Sequence, residues 1–223
     1  MSNSKVPKFY EKTGMYMDWA QISRLPEIDT LIDIGVGVKG TPELYSRFPT
    51  QNLLLFDPLF EAEEYARREL VNRQFRFFQI GLGSKETSLV LNTEKNLDRS
   101  SLLRKTEINA EEYVEPRVVE IKTLDSIIEK VADELRLGKI GIKIDTEGFE
   151  LEVIRGAERT LSQTEFVILE ARHNHDSFEG QYSLRELSLQ MNQVGFVLSM
   201  VLSAKPFICD LCFVPVTGMG SRA

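Results

Sequence analysis

The sequence predicts an α/β fold: a mostly parallel sheet with helices on both faces, closed at the C-terminal end by an antiparallel hairpin. Three observations predict it. Short apolar runs of the kind that form strands buried on both faces recur at 30–34, 53–56, 75–80, 140–144 and 166–171. Segments with apolar residues at helical spacing separate most of them, the alternation expected of right-handed crossovers. The last two apolar runs, 196–202 and 208–215, have no helix between them and suit an antiparallel pair.

A chain of 223 residues, 42% hydrophobic and 27% charged, fits one globular domain with a full core. We expect residues 1–29 to form an N-terminal cap segment and 30–223 the domain proper. With 34 acidic against 27 basic residues the formal charge is −7. The basic residues are scattered among acids, so no nucleic-acid partner is expected and a small or neutral one is. No segment has the apolar length of a signal peptide or a bilayer span, which predicts a cytoplasmic protein without a membrane partner. Cys209 and Cys212 lie in the run 208–215, where an offset of three sends their side chains to opposite faces of a strand. No second pair exists to complete a tetrahedral metal site, so they read as small hydrophobes.

Each element has a local reason. Residues 30–34 run apolar into Asp33-Ile34-Gly35-Val36-Gly37. Thr41, Pro42 and Glu43 then supply a cap, a first-turn proline and an acid at the positive helix end, predicting a helix over 42–48. Strand 53–56 stops at Asp57-Pro58. Charges interleaved with Phe60, Tyr65, Leu70 and Val71 predict an amphipathic helix over 60–73, followed by a strand at 75–80 that closes on Gly81-Leu82-Gly83. A short strand at 88–91 precedes a polar stretch, 92–101, that reads as an insertion or lid. Regular structure resumes with a strand at 118–122 and a helix over 124–137, stopped by Gly138. Strand 140–144 ends at Asp145-Thr146-Glu147-Gly148 and leads to a helix over 149–161. A strand at 166–171 and a helix over 183–194 complete the order before the hairpin.

Ligands in open α/β sheets bind at the carboxyl ends of the strands, and three of those ends carry acids here. Gly35, Gly37 and Gly40 match the dinucleotide spacing Gly-x-Gly-x-x-Gly, which by itself leaves a nicotinamide or flavin cofactor open. Asp33 bears on that choice. A carboxylate at a buried strand end needs a cationic partner or several donors, and a pyrophosphate would repel it. S-adenosylmethionine carries an α-ammonium group that Asp33 can meet directly or through water; the plainer alternative is that Asp33 caps the glycine loop. Asp57, about twenty residues beyond the loop, stands where an acid accepts ribose hydroxyls of an adenosine ligand, or serves as a turn acid before Pro58. Asp145 and Glu147 stand two apart at the third end, beside the space for group transfer, unless they serve only as favourable charges near a helix N-terminus.

These stretches together resemble the FkbM-type methyltransferases. The resemblance rests on Leu31 to Gly37, Phe56-Asp57-Pro58, Gly81-Leu82-Gly83, Ser100-Ser101-Leu102, Lys122-Thr123-Leu124-Asp125-Ser126 and above all Ile142 to Ala157. It spans roughly residues 30–172 in the family's order. It implies a Rossmann-like methyltransferase fold, S-adenosylmethionine as donor, and often a hydroxyl as acceptor, here a small molecule or a sugar; it also adds Gly81 and Leu82 to the cofactor contacts. Val36 stands where the family often has alanine and Asp57 where it often has glutamate.

Methyl transfer from a sulfonium is an in-line displacement, so the site has to hold donor and acceptor at attack distance and take the acceptor's proton. Asp145 is the first candidate near the transfer centre. Glu147, Glu170 and His173 are further candidates for base or acceptor contacts. His173 and His175 with Asp145 or Asp176 form a metal alternative, but loop histidines are more often solvated and no metal is expected. Two other functions remain open: a nicotinamide-dependent oxidoreductase, which lacks an evident downstream Tyr-Lys constellation, and a nucleotide-binding module without catalysis.

Overall fold

The computed structural model describes residues 19–49, 52–106, 113–173, 177–204 and 207–216. In chain order the first elements are α1 (Trp19–Ile22), β1 (Thr30–Ile34), α2 (Pro42–Arg47), β2 (Asn52–Phe56), α3 (Phe60–Glu69) and β3 (Arg76–Phe78). Then come β4 (Gly81–Leu82), β5 (Thr87–Glu94), a 3-10 turn (Leu97–Arg99), β6 (Tyr113–Lys122), α4 (Leu124–Ala132) and β7 (Ile140–Ile144). The chain continues through α5 (Glu150–Arg155), α6 (Glu158–Leu161), β8 (Thr164–Arg172), α7 (Leu184–Gln193), β9 (Phe196–Ala204) and β10 (Ile208–Pro215).

Seven strands form the main sheet in the order β3-β2-β1-β7-β8-β10-β9. The first five are parallel, and β10 runs antiparallel to both β8 and β9. The mostly parallel sheet with a C-terminal hairpin is therefore present as the sequence predicts. Alternation along the strands divides the core in two. Ile32, Ile34, Leu54 and Phe56 face one apolar cluster with Ile128 and Val131 of α4, Val153 of α5 and Leu187 of α7. Leu31, Leu53 and Leu55 face the other, with Ile22, Leu44, Tyr45 and Tyr65 from α1, α2 and α3. Cys209 joins the first cluster and Cys212 the second, both buried and free, as their spacing predicts.

The expected helix over 60–73 ends at Leu70, whose N–H closes on the Ala66 carbonyl. Arg73 then turns back, its guanidinium donating to the carbonyls of Tyr45 at 2.5 Å and of Phe48. The helix expected over 124–137 ends at Ala132, because Asp133 and Glu134 put acids at its negative end and Leu135 turns back on Val131. The helix expected over 149–161 is two. Gly156 packs its backbone against the Gly83 carbonyl, where a Cβ would fall 2.0 Å away. Asp125 caps the second piece, accepting from Arg159 N at 3.0 Å, Thr160 N at 2.8 Å and Thr160 Oγ1 at 2.7 Å.

The larger difference lies between β3 and α4. Gly81-Leu82 does not extend β3 but pairs in parallel with β6, and β5 pairs antiparallel on the other side, giving a second sheet of order β4-β6-β5. Leu91, Val119 and Ile121 of this sheet pack on Leu59 and Ala62. Part of the stretch read as a lid is thus strand and 3-10 turn. The described part of the expected cap segment buries Ile22, Leu25 and Ile28; residues 1–18 lie outside the described residues. Among the described residues no helix is long and apolar enough to cross a membrane.

Candidate functional site

The carboxyl ends of β1, β2, β7 and β8 open into one cleft of about 700 Å³, roofed by residues 96–105. Backbone contact between β1 and β7 fixes its floor. Gly35 has φ +81, and a Cβ there would lie 1.7 Å from the Asp145 carbonyl oxygen, so only glycine lets the two strand ends meet. Gly35 N donates to Phe56 O and Asp145 N to Ile34 O, each at 2.8 Å, which locks three strand ends together.

The glycine loop is held by carboxylates. Asp57 Oδ2 accepts from Gly37 N at 2.8 Å and Oδ1 from Leu59 N at 2.8 Å. Asp98, from the 3-10 turn, accepts from Val38 N at 2.7 Å and pairs with Lys39 Nζ at 2.6 Å. Two consecutive backbone donors of the loop therefore already meet the chain's own anions. Burial pushes the Asp57 carboxyl up to about 6, against the lowering effect of the Gly37 and Leu59 N–H donors. Gly81 and Leu82 are buried in the cleft wall, near the apolar side chains of Val36, Phe56 and Leu59.

Asp33 is placed differently from the other acids. It lies behind the glycine loop, 1% exposed and not among the lining residues, with its Oδ2 accepting from Tyr45 Oη at 2.5 Å. Burial raises its carboxyl to about 6, with the Tyr45 hydrogen bond and the Lys143 charge opposing the rise.

At the end of β7 the loop Asp145-Thr146-Glu147-Gly148 turns into α5. Glu147 has φ +53, the one non-glycine residue with a positive φ among the described residues, and local strain of this kind gathers at functional sites. Glu150 cinches the loop: its buried Oε1 accepts from Thr146 N at 2.9 Å, Thr146 Oγ1 at 3.1 Å and Gly148 N at 3.1 Å. Ser101 Oγ donates to the Glu147 carbonyl at 2.7 Å, tying the roof to the floor. The Glu147 carboxylate pairs with Arg172, whose guanidinium lies 5.2 Å from the centre of the Phe178 ring. Ligand atoms of Asp145, Glu147 and Glu170 lie within 4.8 Å of one another. Lys143, buried in β7, approaches Asp145 Oδ2 at 3.3 Å and Asp210 Oδ1 at 3.6 Å.

The structure thus brings Gly35, Gly37, Asp57, Gly81, Leu82, Asp145, Glu147 and Glu170 around one cleft. His173 is not among the lining residues: it is exposed just past β8, its N–H donating to the Phe207 carbonyl at 3.1 Å. His175 and Asp176 of the metal alternative lie outside the described residues. Sequence reasoning gave no role to Asp98, Glu150, Arg172 or Lys143. Only Lys143 carried a signal, a charge inside a strand otherwise apolar.

In chemical terms the cleft offers the carboxylates of Asp57, Asp98, Asp145, Glu147 and Glu170, the basic side chains of Lys39, Arg99, Lys105 and Arg172, and apolar walls. A family model described as the methyltransferase FkbM domain matches residues 38–203, a span that holds every candidate except Asp33, Gly35 and Gly37. No curated protein matches the chain. Among solved structures, magnesium protoporphyrin IX methyltransferase of Synechocystis PCC 6803, with its bound S-adenosylmethionine, aligns at 12% identity and TM-score 0.47, covering 88% of this chain and 74% of that one. A putative RNA methyltransferase of Pyrococcus horikoshii aligns at 10% identity and TM-score 0.47, covering 99% and 93%. A protein of the NADB-Rossmann superfamily from Streptococcus agalactiae, at 9% identity and TM-score 0.50, covers 90% of this chain and 70% of its own and is alike in fold alone.

Proposed function

The chain belongs to the FkbM methyltransferase family and is an S-adenosylmethionine-dependent methyltransferase; from that premise we propose that it methylates a hydroxyl of a small molecule or a sugar. The observation that carries the cofactor reading is the pairing of the Gly37 and Val38 N–H groups with Asp57 and Asp98. A dinucleotide pyrophosphate binds through such donors at the glycine turn, and here it would face two carboxylates instead. A ligand bearing an ammonium and a sulfonium finds the Asp57 charge favourable, while Lys39 already meets that of Asp98.

The residues fit that cofactor. Asp57 is positioned to accept from ribose hydroxyls, since each of its oxygens keeps a lone pair beyond its backbone bond. Gly81, Leu82 and Val36 offer apolar surface to the adenine. Asp33, behind the loop, contributes its charge rather than a contact. When bound, S-adenosylmethionine supplies an electrophilic methyl group.

On the acceptor side Asp145, with its side chain 31% exposed, lines the cleft in its pair with Lys143. We assign it the acceptor's proton. Glu147, fixed by Arg172, orients the acceptor hydroxyl, and Glu170 borders the same space. Phe178, beside Gly148 and Arg172, and the exposed Phe207 add apolar lining. His173 stands outside this lining and is left with a place at the rim.

The test is to incubate the protein with S-adenosylmethionine and a panel of hydroxylated sugars and small molecules, and to read products by mass. A gain of one methyl group on a hydroxyl, absent with Asp145→Asn, is the expected result. Methylation only at nitrogen or carbon would overturn the acceptor assignment.

A further inference from the structure

Three carboxylates with ligand atoms within 4.8 Å of one another, Asp145, Glu147 and Glu170, have a spacing that can hold a divalent cation. An acid cluster this tight needs compensation, because like charges in a partly desolvated cleft raise one another's free energy steeply. The chain supplies the compensation itself. Arg172 meets Glu147. From beneath, Lys143 meets Asp145.

Lys143 is an unusual residue for its position. It stands between Ile142 and Ile144 in a strand whose five residues are all buried, and it is itself 2% exposed. An ammonium there is tolerated only if paired. Acids from four adjacent strand positions surround it: Asp145 at 3.3 Å just past β7, Asp210 at 3.6 Å on β10, Glu170 on β8 and Asp33 on β1. Ser203 Oγ holds the far oxygen of Asp210 at 2.5 Å. Burial by itself would lower the Lys143 value, but the carboxylates outweigh it and hold the ammonium well above its ordinary range.

We propose that Lys143 is the built-in cation of this cleft, a positioning residue that fixes Asp145 and supplies the charge a divalent metal would otherwise bring. The inference rests on the methyltransferase reading above for its consequence, that transfer at this site needs no metal ion. Its physical content concerns Lys143 and the carboxylates alone.

Manganese titration followed by electron paramagnetic resonance tests it, on the wild-type chain, Lys143→Met and Lys143→Arg. The wild-type protein and the arginine variant, which keeps the charge, are expected to take up no Mn²⁺ in the cleft. The methionine variant is expected to gain a site at least about tenfold tighter than any residual wild-type uptake, lost again when Asp145→Asn is added. A role for Lys143 in packing alone would not produce that gain. Stoichiometric Mn²⁺ uptake by the wild-type chain at Asp145 overturns the proposal, as does a folded Lys143→Met with no gain. Should the methionine variant fail to fold, the wild-type and arginine titrations decide. S-adenosylhomocysteine binding to the wild-type chain, measured alongside, reports on the methyltransferase reading separately from the manganese result.

Discussion

Asp33 and Asp57 are buried carboxyls whose values burial lifts from 3.8 to about 6. Each therefore stabilises the fold most below 3.8, and that contribution is lost as pH rises through about 6. A shift of this size corresponds to roughly 3 kcal/mol for a fully buried group. Asp33→Asn keeps an acceptor for the Tyr45 hydroxyl while removing the buried charge. Urea unfolding of the variant is expected to show a flatter dependence on pH across that window than wild type; an unchanged profile would mean that Asp33 carries no such cost. The same residues bear on binding. Asp57→Ala is expected to weaken S-adenosylhomocysteine about 10- to 100-fold by removing an acceptor for buried hydroxyls, with a folded far-ultraviolet spectrum retained. Asp145→Ala is expected to cut turnover by about 10²-fold or more through loss of the proton acceptor, and near-normal rates would remove Asp145 from the mechanism.

At the scale of elements, the loops at the strand ends carry the site, and their shapes rest on a few contacts. Gly35→Ala would place a methyl group within bonding distance of the Asp145 carbonyl at a φ that alanine resists. The strand ends would have to part, at an expected loss of about 3 kcal/mol or more in chemical denaturation. Glu150→Ala removes three hydrogen bonds from the loop 145–148, and is expected to destabilise by about 1–3 kcal/mol and to lower turnover more than it lowers cofactor affinity, since the loop borders the acceptor side. The strand-end acids Asp33, Asp57 and Asp145 were legible in the sequence because a carboxylate beside a buried strand is costly and announces a purpose. Glu150 was not, because its role depends on how the chain turns after Glu147 adopts a left-handed conformation. The helix predicted over 149–161 divides for a related reason: its break at Gly156 comes from Gly83 and Asp125, partners remote in sequence.

Across the whole molecule, the strands of the parallel sheet were legible because each is a short apolar run, and their C-terminal ends converge on the cleft by topology alone. The second sheet was legible only in part: the runs at 88–91 and 118–122 predict strands, but β4 is only two residues long and the pairing joins segments remote in sequence. Its consequence is functional: it carries Asp98 onto the glycine loop and Ser101 onto the Glu147 carbonyl. The pairs Lys143–Asp145 and Arg172–Glu147 likewise depend on neighbouring strands and on loop conformation, which no local pattern encodes. We propose that this cleft, with its loop donors already met by carboxylates, takes a cationic methionine-derived cofactor and not a dinucleotide. Paired calorimetric titrations with S-adenosylhomocysteine and NAD test it most directly. The predicted result is saturable heat from S-adenosylhomocysteine at a single site, reduced in Asp57→Ala, and none from NAD; NAD binding without any from S-adenosylhomocysteine would contradict it.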